Sequence, residues 1–563
     1  MLSSRENLPR KSTQPLPNGP ASGSAQDGPP WTVDRIAQGL VNSHSPDECV
    51  ALAGMAERAG DAVLKRRCLD QAVALDRNCQ AALLMLAAAS LDDGDAVGTF
   101  ALLEETLRAG LLPDAAAPLH RELLARATGD ERLQDYLRAV GRLESAPPAK
   151  QLSVVLVTNL FPPQELGGYG RMMWEFAHGL VARGHRVRVL TSDSAEFGKT
   201  PAADEVEMDH RVLRKLRMLG TWVGGRPAPL TDRAEMVRRM SDNAALLNSA
   251  VVDAQADLVL AGNLDFLGAS ILQPALRANV PVLHALANAS PGFAVAEQPR
   301  EPHYWVAPCS DWNGEVYAQA GFTPARRETL YPGARIDRFF RLFLPDVRRL
   351  RICYASLVLP YKGVDTLVAA LGRLHAAGVD FTAEIAGDAP DPDFLAGLQD
   401  QVGRQGMAAK VSFTGFLDRP GLAALFARNN VLVFPSKFRE PFGISQVEAL
   451  AAGLVVVSSG TGGAKEIIRG GVDGLLFAAG NDADLAERLA SLARTPELMT
   501  RLQRAGQARA IAFSVDNAVR KIESLAAGLH AGRSRPDHPA AAHPEVRSDV
   551  RPADLGVREC LQT

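Results

Sequence analysis

Two glutamates, Glu440 and Glu448, stand with seven residues between them in the stretch FPSKFREPFGISQVEALAAGLVVVSSGTGGAKEIIRGGVDGLLF, residues 434–477. Glu440 falls in a loop just after a short apolar strand, and Glu448 two turns into the helix that PFGIS opens. A Gly-rich turn, Gly460 to Gly463, follows the next strand and is expected to open another helix at Ala464. Carboxylates accept hydrogen bonds in pairs, which suits the hydroxyls of sugar and ribose rings. Backbone N–H groups at a helix start favour a diphosphate. Ligands of open α/β sheets bind at the carboxyl ends of the strands, so two adjacent strand ends would deliver a pair of acids and a helix N-terminus to one crevice.

Such a crevice requires parallel sheets, and the chain has the pattern for two. SVVLVTNL begins a β-branched, doubly apolar run of the kind that forms a buried parallel strand. The loop FPPQELGGYG follows, then a helix with Met172, Phe176, Leu180 and Val181 on one face, a stop at Gly184, and the strand RVRVLTS. Further strands are expected at 256–262, 281–286 and 303–309, with a helix at 233–254. A second unit starts with RICYASL near Leu350, continues through FTAEIAG, KVSFTG, VLVFPS and VVVSS, and closes with a helix at 517–529. The fold class expected is α/β, two Rossmann-like halves in series.

An all-helical module precedes them. Residues 31–147 are rich in Ala, Leu, Glu and Arg. Two stretches, beginning CLDQAVALD and TFALLEETL, carry apolar residues at helical spacing with an offset of about 34 residues, as in tetratricopeptide repeats. An irregular helical bundle fits as well; either way the module is expected to serve protein docking. ESAPPAK, 144–150, reads as a linker. Residues 1–30 and 529–563 read as solvated tails that cannot bury enough apolar surface to order. The divisions expected are thus 1–30, 31–147, 151–345, 346–528 and 529–563.

Composition excludes several classes. The net charge of −3 and the 6% aromatic content argue against a nucleic-acid binder. The six cysteines form no CxxC pair and no zinc-ligand spacing, so reduced, buried thiols are expected. No apolar run reaches the roughly 18 to 20 residues of a membrane span, and the N-terminus has no apolar signal region. A cytoplasmic location is the expectation. HRVLRKLRMLG, residues 210–220, carries His210, Arg211, Arg214, Lys215 and Arg217 among apolar residues. It reads either as an interfacial helix making a peripheral contact at the inner face of the membrane or as a solvated basic face. GKT at 198–200 lacks the first glycine of a phosphate-binding loop, whose place Asp193 takes.

The E-x7-E spacing, with AAGLVVVS, GGAKEII and GVDGLLF behind it, resembles the retaining glycosyltransferases of family four, which have the GT-B fold. The likeness covers about 151–528, and VTNLFPPQELGGYG with the helix ending in ARGHRVRVLTS is similar to that family's first strand, loop and helix. The resemblance implies an acceptor-side domain at 151–345 and a nucleotide-sugar-binding domain at 346–528. It implies that Glu440 contacts the donor sugar near the reacting carbon and that Glu448 holds the ribose. Lys362, in LPYKGVDTL, would bind the diphosphate; His284 would either face the donor sugar or stand as a core histidine bonded to a backbone carbonyl. Phe442, Gly443 and Ile444 would supply loop backbone to sugar and phosphates, as would Gly462 and Gly463 at the Gly-rich turn. Gly167 and Gly168 would let the first loop approach the phosphates. The implied reaction moves a hexose-type sugar from a nucleoside diphosphate to a hydroxyl of a glycan or lipid-linked acceptor with no metal and no bound cofactor. One departure stands out: where the family has Gly-Arg ahead of its Lys-Gly, this chain has Ser356-Leu357, which leaves Lys362 to carry the charge alone or an arginine from elsewhere, such as Arg335 or Arg439, to substitute. The same departure keeps an alternative open, an inactive glycosyltransferase-like scaffold acting through its helical module.

Overall fold

The computed structural model describes residues 32–532, apart from Gly94, 110–117, 119–121, 123–130, 141–142, 144–146, 224–225, Ala289 and 342–343. The two tails expected from composition lie almost wholly outside the described residues.

Fifteen strands are described. In the first lobe they are β1 (Ser153–Val157), β2 (Arg186–Ser192), β3 (Val212–Leu216), β4 (Gly220–Val223), β5 (Arg226–Pro229), β6 (Leu258–Ala261), β7 (Val282–Leu286), β8 (Tyr304–Pro308) and β9 (Arg326–Arg327). In the second they are β10 (Leu350–Ala355), β11 (Phe381–Ala386), β12 (Val411–Gly415), β13 (Val431–Phe434), β14 (Val455–Ser458) and β15 (Leu475–Leu476). The first sheet runs β3-β2-β1-β6-β7-β8-β9 and the second β12-β11-β10-β13-β14-β15, with parallel neighbours throughout; β4 and β5 form a separate antiparallel hairpin. Both sheets are apolar on both faces because helices cover both. In β1, Val154 and Leu156 enter one core while Val155 and Val157 enter the other. In β10, Ile352 and Tyr354 go one way and Cys353 the other. The strands and the 233–254 helix expected from the sequence are present, the helix capped by Asp232, whose side chain accepts from the N–H groups of Ala234 and Glu235.

The chain crosses between lobes twice, and the crossings touch. Ala334 N–H donates to Phe513 O at 2.9 Å, and Val515 N–H donates to Ala334 O at 3.1 Å. This corrects one boundary. The last helix, Val515–Gly532, belongs by sequence order with the second half, but its apolar residues Val519, Ile522 and Ala526 pack in the first lobe's core. Gly179, on the helix Tyr169–Ala182, permits the approach: a Cβ there would lie 2.7 Å from Val519. Arg183 and His185 anchor the pair on Glu523 at 2.7 and 2.8 Å.

The basic segment 210–220 is not a helix. Val212 and Leu213 point into opposite cores, a period of two, and residues 212–216 form edge strand β3. Arg214 is spent on the chain's own loop, donating to Phe161 O at 2.9 Å and Pro162 O at 2.6 Å. The interfacial-helix expectation is therefore withdrawn. No helix among the described residues is long and apolar enough to cross a membrane.

Among the described residues the helical module contains Val33–Asn42, Pro46–Arg58, Ala62–Leu75, Gln80–Asp92, Ala96–Ala109 and Glu131–Ala139. Much of the second repeat unit falls in 110–130, mostly outside the described residues. The module packs on the second lobe: Arg504 Nη1 lies 2.8 Å from Asp70, which is 2% exposed. Its last helix reaches the lobe junction, where Tyr136 meets Phe340 edge-on at 5.6 Å and Asp135 accepts from Arg520 at 2.6 Å. All five described cysteines are buried and free.

Candidate active site

A cleft of about 2030 Å³ is lined by both lobes. On the second lobe, β13 ends at Phe434 and its loop carries Glu440 to the cleft, 6% exposed. Lys362, in the single turn after β10, places Nζ 2.6 Å from Glu440 Oε1, and Ser436 Oγ donates to the same oxygen at 2.7 Å. An ammonium has three donors, so Lys362 keeps two for another acceptor.

The loop that holds Glu440 is set by the Gly-rich turn. Gly462 pairs with Glu440 in a parallel bridge, and Gly463 N–H donates to Glu440 O at 2.8 Å. A Cβ on Gly462 would lie 2.5 Å from Glu440 O, and one on Gly463 would lie 2.1 Å from Pro441 O. These glycines exist for close packing of two loops. The helix expected at Ala464 is one 3-10 turn, Gly463–Glu466, and neither Gly462 nor Gly463 lines the cleft. Their assignment as donor-binding residues is corrected to positioning residues for Glu440.

Gly443, at φ +96°, turns the chain into the helix Ile444–Ala451. Phe442, Gly443 and Ile444 line the cleft, but the Phe442 ring is buried against Tyr331 and Phe513 at 5.7 and 5.5 Å, so backbone is what this loop presents. Glu448, in the second turn of that helix, is 2% exposed and pairs with Arg419 Nη2 at 2.6 Å. Arg419 opens the helix Arg419–Arg428 behind the cap Asp418 and lies over the Phe339 ring at 5.0 Å.

The first lobe contributes Gly167 and Gly168. Gly167 has φ +71°, and a Cβ on either would meet nothing within 4 Å, so this backbone faces open cleft. From the helix behind it, Glu175 lines the cleft while 3% exposed. Burial pushes its carboxyl up to about 7, against the opposing pull of Arg335, Arg419 and Arg171. Sequence reasoning missed Ser436, Arg419 and Glu175. The Asp-Arg-Pro start at 418–420 signals only a helix start, and its partner lies 29 residues on.

His284 is corrected. It is wholly buried in β7 and does not line the cleft. Nε2 lies 3.0 Å from Gly262 O, so it carries the proton, and Nδ1 accepts from Tyr304 Oη at 2.9 Å. Burial lowers its pKa to about 4. It is a core histidine with both nitrogens used. Leu357 is 39% exposed and also outside the cleft lining, whereas Arg335 and Arg439 both line it. Arg335 pairs with Asp337 at 2.8 Å; Arg439 makes no ion pair among the described residues. Asp391, in the Asp-x-Asp triplet of the second lobe's 388–393 turn, accepts from Phe394 N–H as the cap of the helix Pro392–Arg404. Among the described residues no cluster of three or more His, Cys, Asp or Glu could hold a metal ion.

Two Rossmann-like lobes facing one cleft, joined by two crossings and closed by a helix that returns to the first lobe, define a GT-B protein. A glycosyltransferase from Rickettsia africae superposes with a TM-score of 0.56 at 17% identity, covering 68% of this chain and 99% of that one. HepE of Anabaena, solved in complex with UDP, superposes at 0.51 with 20% identity, covering 67% and 99%. The model for glycosyl transferases group 1 matches residues 337–509, and that for the glycosyl transferase 4-like domain matches 167–323. Each lobe thus matches a glycosyltransferase family model. It is 32% identical over 209 residues to the D-inositol 3-phosphate glycosyltransferase of Mycolicibacterium paratuberculosis, covering 34% of this chain and 45% of that protein. It is 28% identical over 382 residues to the glycogen synthase of Mycobacterium tuberculosis, covering 64% and 90%.

Proposed function

We propose that the protein transfers a sugar from a nucleoside diphosphate to an acceptor hydroxyl, with retention of the anomeric configuration. The observation that carries this reading is that Glu440 and the Glu448–Arg419 pair line one cleft opposite the open Gly167-Gly168 backbone, with Lys362, just behind the cleft lining, paired to Glu440. Glu448 accepts from ribose hydroxyls and Glu440 from sugar hydroxyls. Lys362 and Arg439 offset the charge that grows on the departing diphosphate. The acceptor oxygen bonds to the anomeric carbon on the face from which the phosphate oxygen leaves, and the acceptor proton passes to that phosphate. The names of the relatives, which span an inositol phosphate and glycogen as acceptors, support the reaction class and leave the acceptor open. The UDP complex of the Anabaena neighbour supports a nucleotide site in this fold. We assign the charge stabilisation to these cations without a metal, the acceptor to a glycan or lipid-linked hydroxyl, and the reaction to the cytoplasm.

A thermal-shift panel of UDP, GDP, ADP and their sugar conjugates tests the reading, since a ligand that binds the native state raises its melting temperature. One nucleotide should stabilise the wild type and not Glu448→Ala, and transfer should persist in EDTA. No shift with any nucleotide on folded protein refutes the donor site.

A further inference from the structure

The first lobe's part of the cleft contains a built wall that the donor site does not use. Hairpin β4–β5 stands outside both parallel sheets, and its Trp222, Pro227 and Pro229 line the cleft. Trp222 meets Phe266 edge-on at 4.7 Å and Phe197 at 5.8 Å, which fixes its ring. Phe266 has φ +59°, a left-handed conformation that bulky residues avoid and that structures keep mainly at functional sites. The hairpin holds it there: Leu219 N–H donates to Phe266 O at 2.7 Å, and Gly220 leaves the space that a Cβ, 2.6 Å from the Phe266 ring, would fill.

The preceding residue, Asp265, also lines the cleft. Its Oδ2 accepts from Asn288 Nδ2 at 3.1 Å, and its backbone N–H is tied to Asn263 at 3.0 Å. Gly292, at φ +86°, lets the loop carrying Asn288 lie directly on this turn; a Cβ there would be 2.4 Å from the Leu264 carbonyl carbon. Of the cleft acids, Glu165, Glu205, Glu440 and Glu448 each lie in an ion pair, Asp418 caps a helix and Glu175 is buried at 3% exposure, whereas Asp265 is half-buried on the wall with no cation partner among the described residues. An uncompensated carboxylate repels a phosphorylated group and accepts from hydroxyls. Beside it, an aromatic face with negative quadrupole attracts C–H groups. A few polar groups in an apolar wall is how small-molecule sites fix orientation.

We propose that this wall is the acceptor subsite and that it selects a neutral, polyhydroxylated ring, stacked on Trp222 and held by a hydroxyl on Asp265, over a phosphorylated acceptor. The proposal rests on the transferase reading above. It separates this chain from relatives named for an inositol phosphate acceptor.

Saturation-transfer difference NMR on the full chain tests it. The probes are the methyl glycosides of glucose, galactose, mannose and rhamnose, and 1D-myo-inositol 3-phosphate, each with and without UDP. Ring C–H signals of at least one glycoside should gain intensity, and inositol phosphate should give none. Trp222→Ala and Asp265→Asn should each weaken the glycoside by about fivefold or more, the loss of roughly one hydrogen bond or ring contact. Trp222→Phe, which keeps a ring and guards against a folding defect, should retain most of it. Saturation of inositol phosphate alone, silence from all four glycosides, or glycoside signals unchanged in Trp222→Ala would overturn the subsite. UDP binding measured by calorimetry in the same samples reports on the donor reading separately.

Discussion

Arg419 Nη2 lies 2.6 Å from Glu448 Oε1, so the carboxylate assigned to ribose is held by a guanidinium that reaches over from the helix following the edge strand β12. Glu448 is 2% exposed, and removing its partner leaves a buried charge. Breaking such a pair costs about 3 kcal/mol or more. Arg419→Ala should lower stability by that order and weaken nucleotide binding, because Glu448 then has no fixed orientation. Arg419→Met with Glu448→Gln should recover much of the stability and none of the binding. Denaturant unfolding and nucleotide titration of the three proteins check both parts; equal binding in Arg419→Ala and wild type would remove the positioning role.

Glu175 should make the protein less stable as pH rises. Burial lifts its folded pKa to about 7, above the ordinary glutamate value, so the folded state holds a proton that the unfolded chain releases. The stabilisation is complete below the unfolded value and is lost as pH climbs through about 7. The shift corresponds to ~3 kcal/mol at most. Glu175→Gln keeps the neutral shape, so melting temperatures of wild type and variant should match near pH 5 and diverge by pH 8 in favour of the variant. Parallel curves over that range would show that Arg335 and Arg419 already hold the carboxylate ionised.

The architecture and the two acids were legible because their signals are local. β-branched runs with both faces apolar, turns at Gly184 and Gly443, and a fixed Glu-to-Glu spacing all survive in one dimension. The failures share a cause: each depended on a contact distant in sequence. The helix 515–532 is amphipathic in either lobe, and only the close approach at Gly179 decides which. Gly462 and Gly463 read as a phosphate turn until the Glu440 loop is laid against them. The basic run at 210–220 was judged by its charges, while the opposite burial of Val212 and Leu213 makes it a strand. Arg419 and Glu175 carry no motif, and their meaning comes from facing the same cleft.

The docking of residues 62–92 on the second lobe should depend strongly on one buried ion pair. Asp70 is 2% exposed, and burial pushes its carboxyl up while Arg504 and Arg66 pull it down. Arg504→Ala removes the 2.8 Å partner and leaves Asp70 only the more distant Arg66, at 3.9 Å. Hydrogen exchange should then accelerate in residues 62–92, by a factor matching about 3 kcal/mol, with strands β10 and β13 unchanged. Asp70→Leu with Arg504→Leu should restore protection. Uniform acceleration across both lobes would mean that the module and the second lobe unfold as one unit.

His284 should prove structural. Its Nε2–H donates to Gly262 O and its Nδ1 accepts from Tyr304 Oη, so neither nitrogen is left for a sugar. His284→Ala strands both partners and opens a cavity, a loss of ~3 kcal/mol, while nucleotide affinity stays within about twofold, well under one kcal/mol. The pH signature is opposite to that of Glu175. Burial depresses the folded pKa to about 4, so the unfolded chain takes up a proton first as pH falls. Stability from the neutral ring is complete above the ordinary histidine value and is lost as pH drops from there through about 4. In that window Glu175 gains what His284 loses, so the wild type should show a shallow profile, and each single variant should expose the slope of the other. A His284→Ala protein that keeps its melting temperature but loses transfer would return this residue to the active site.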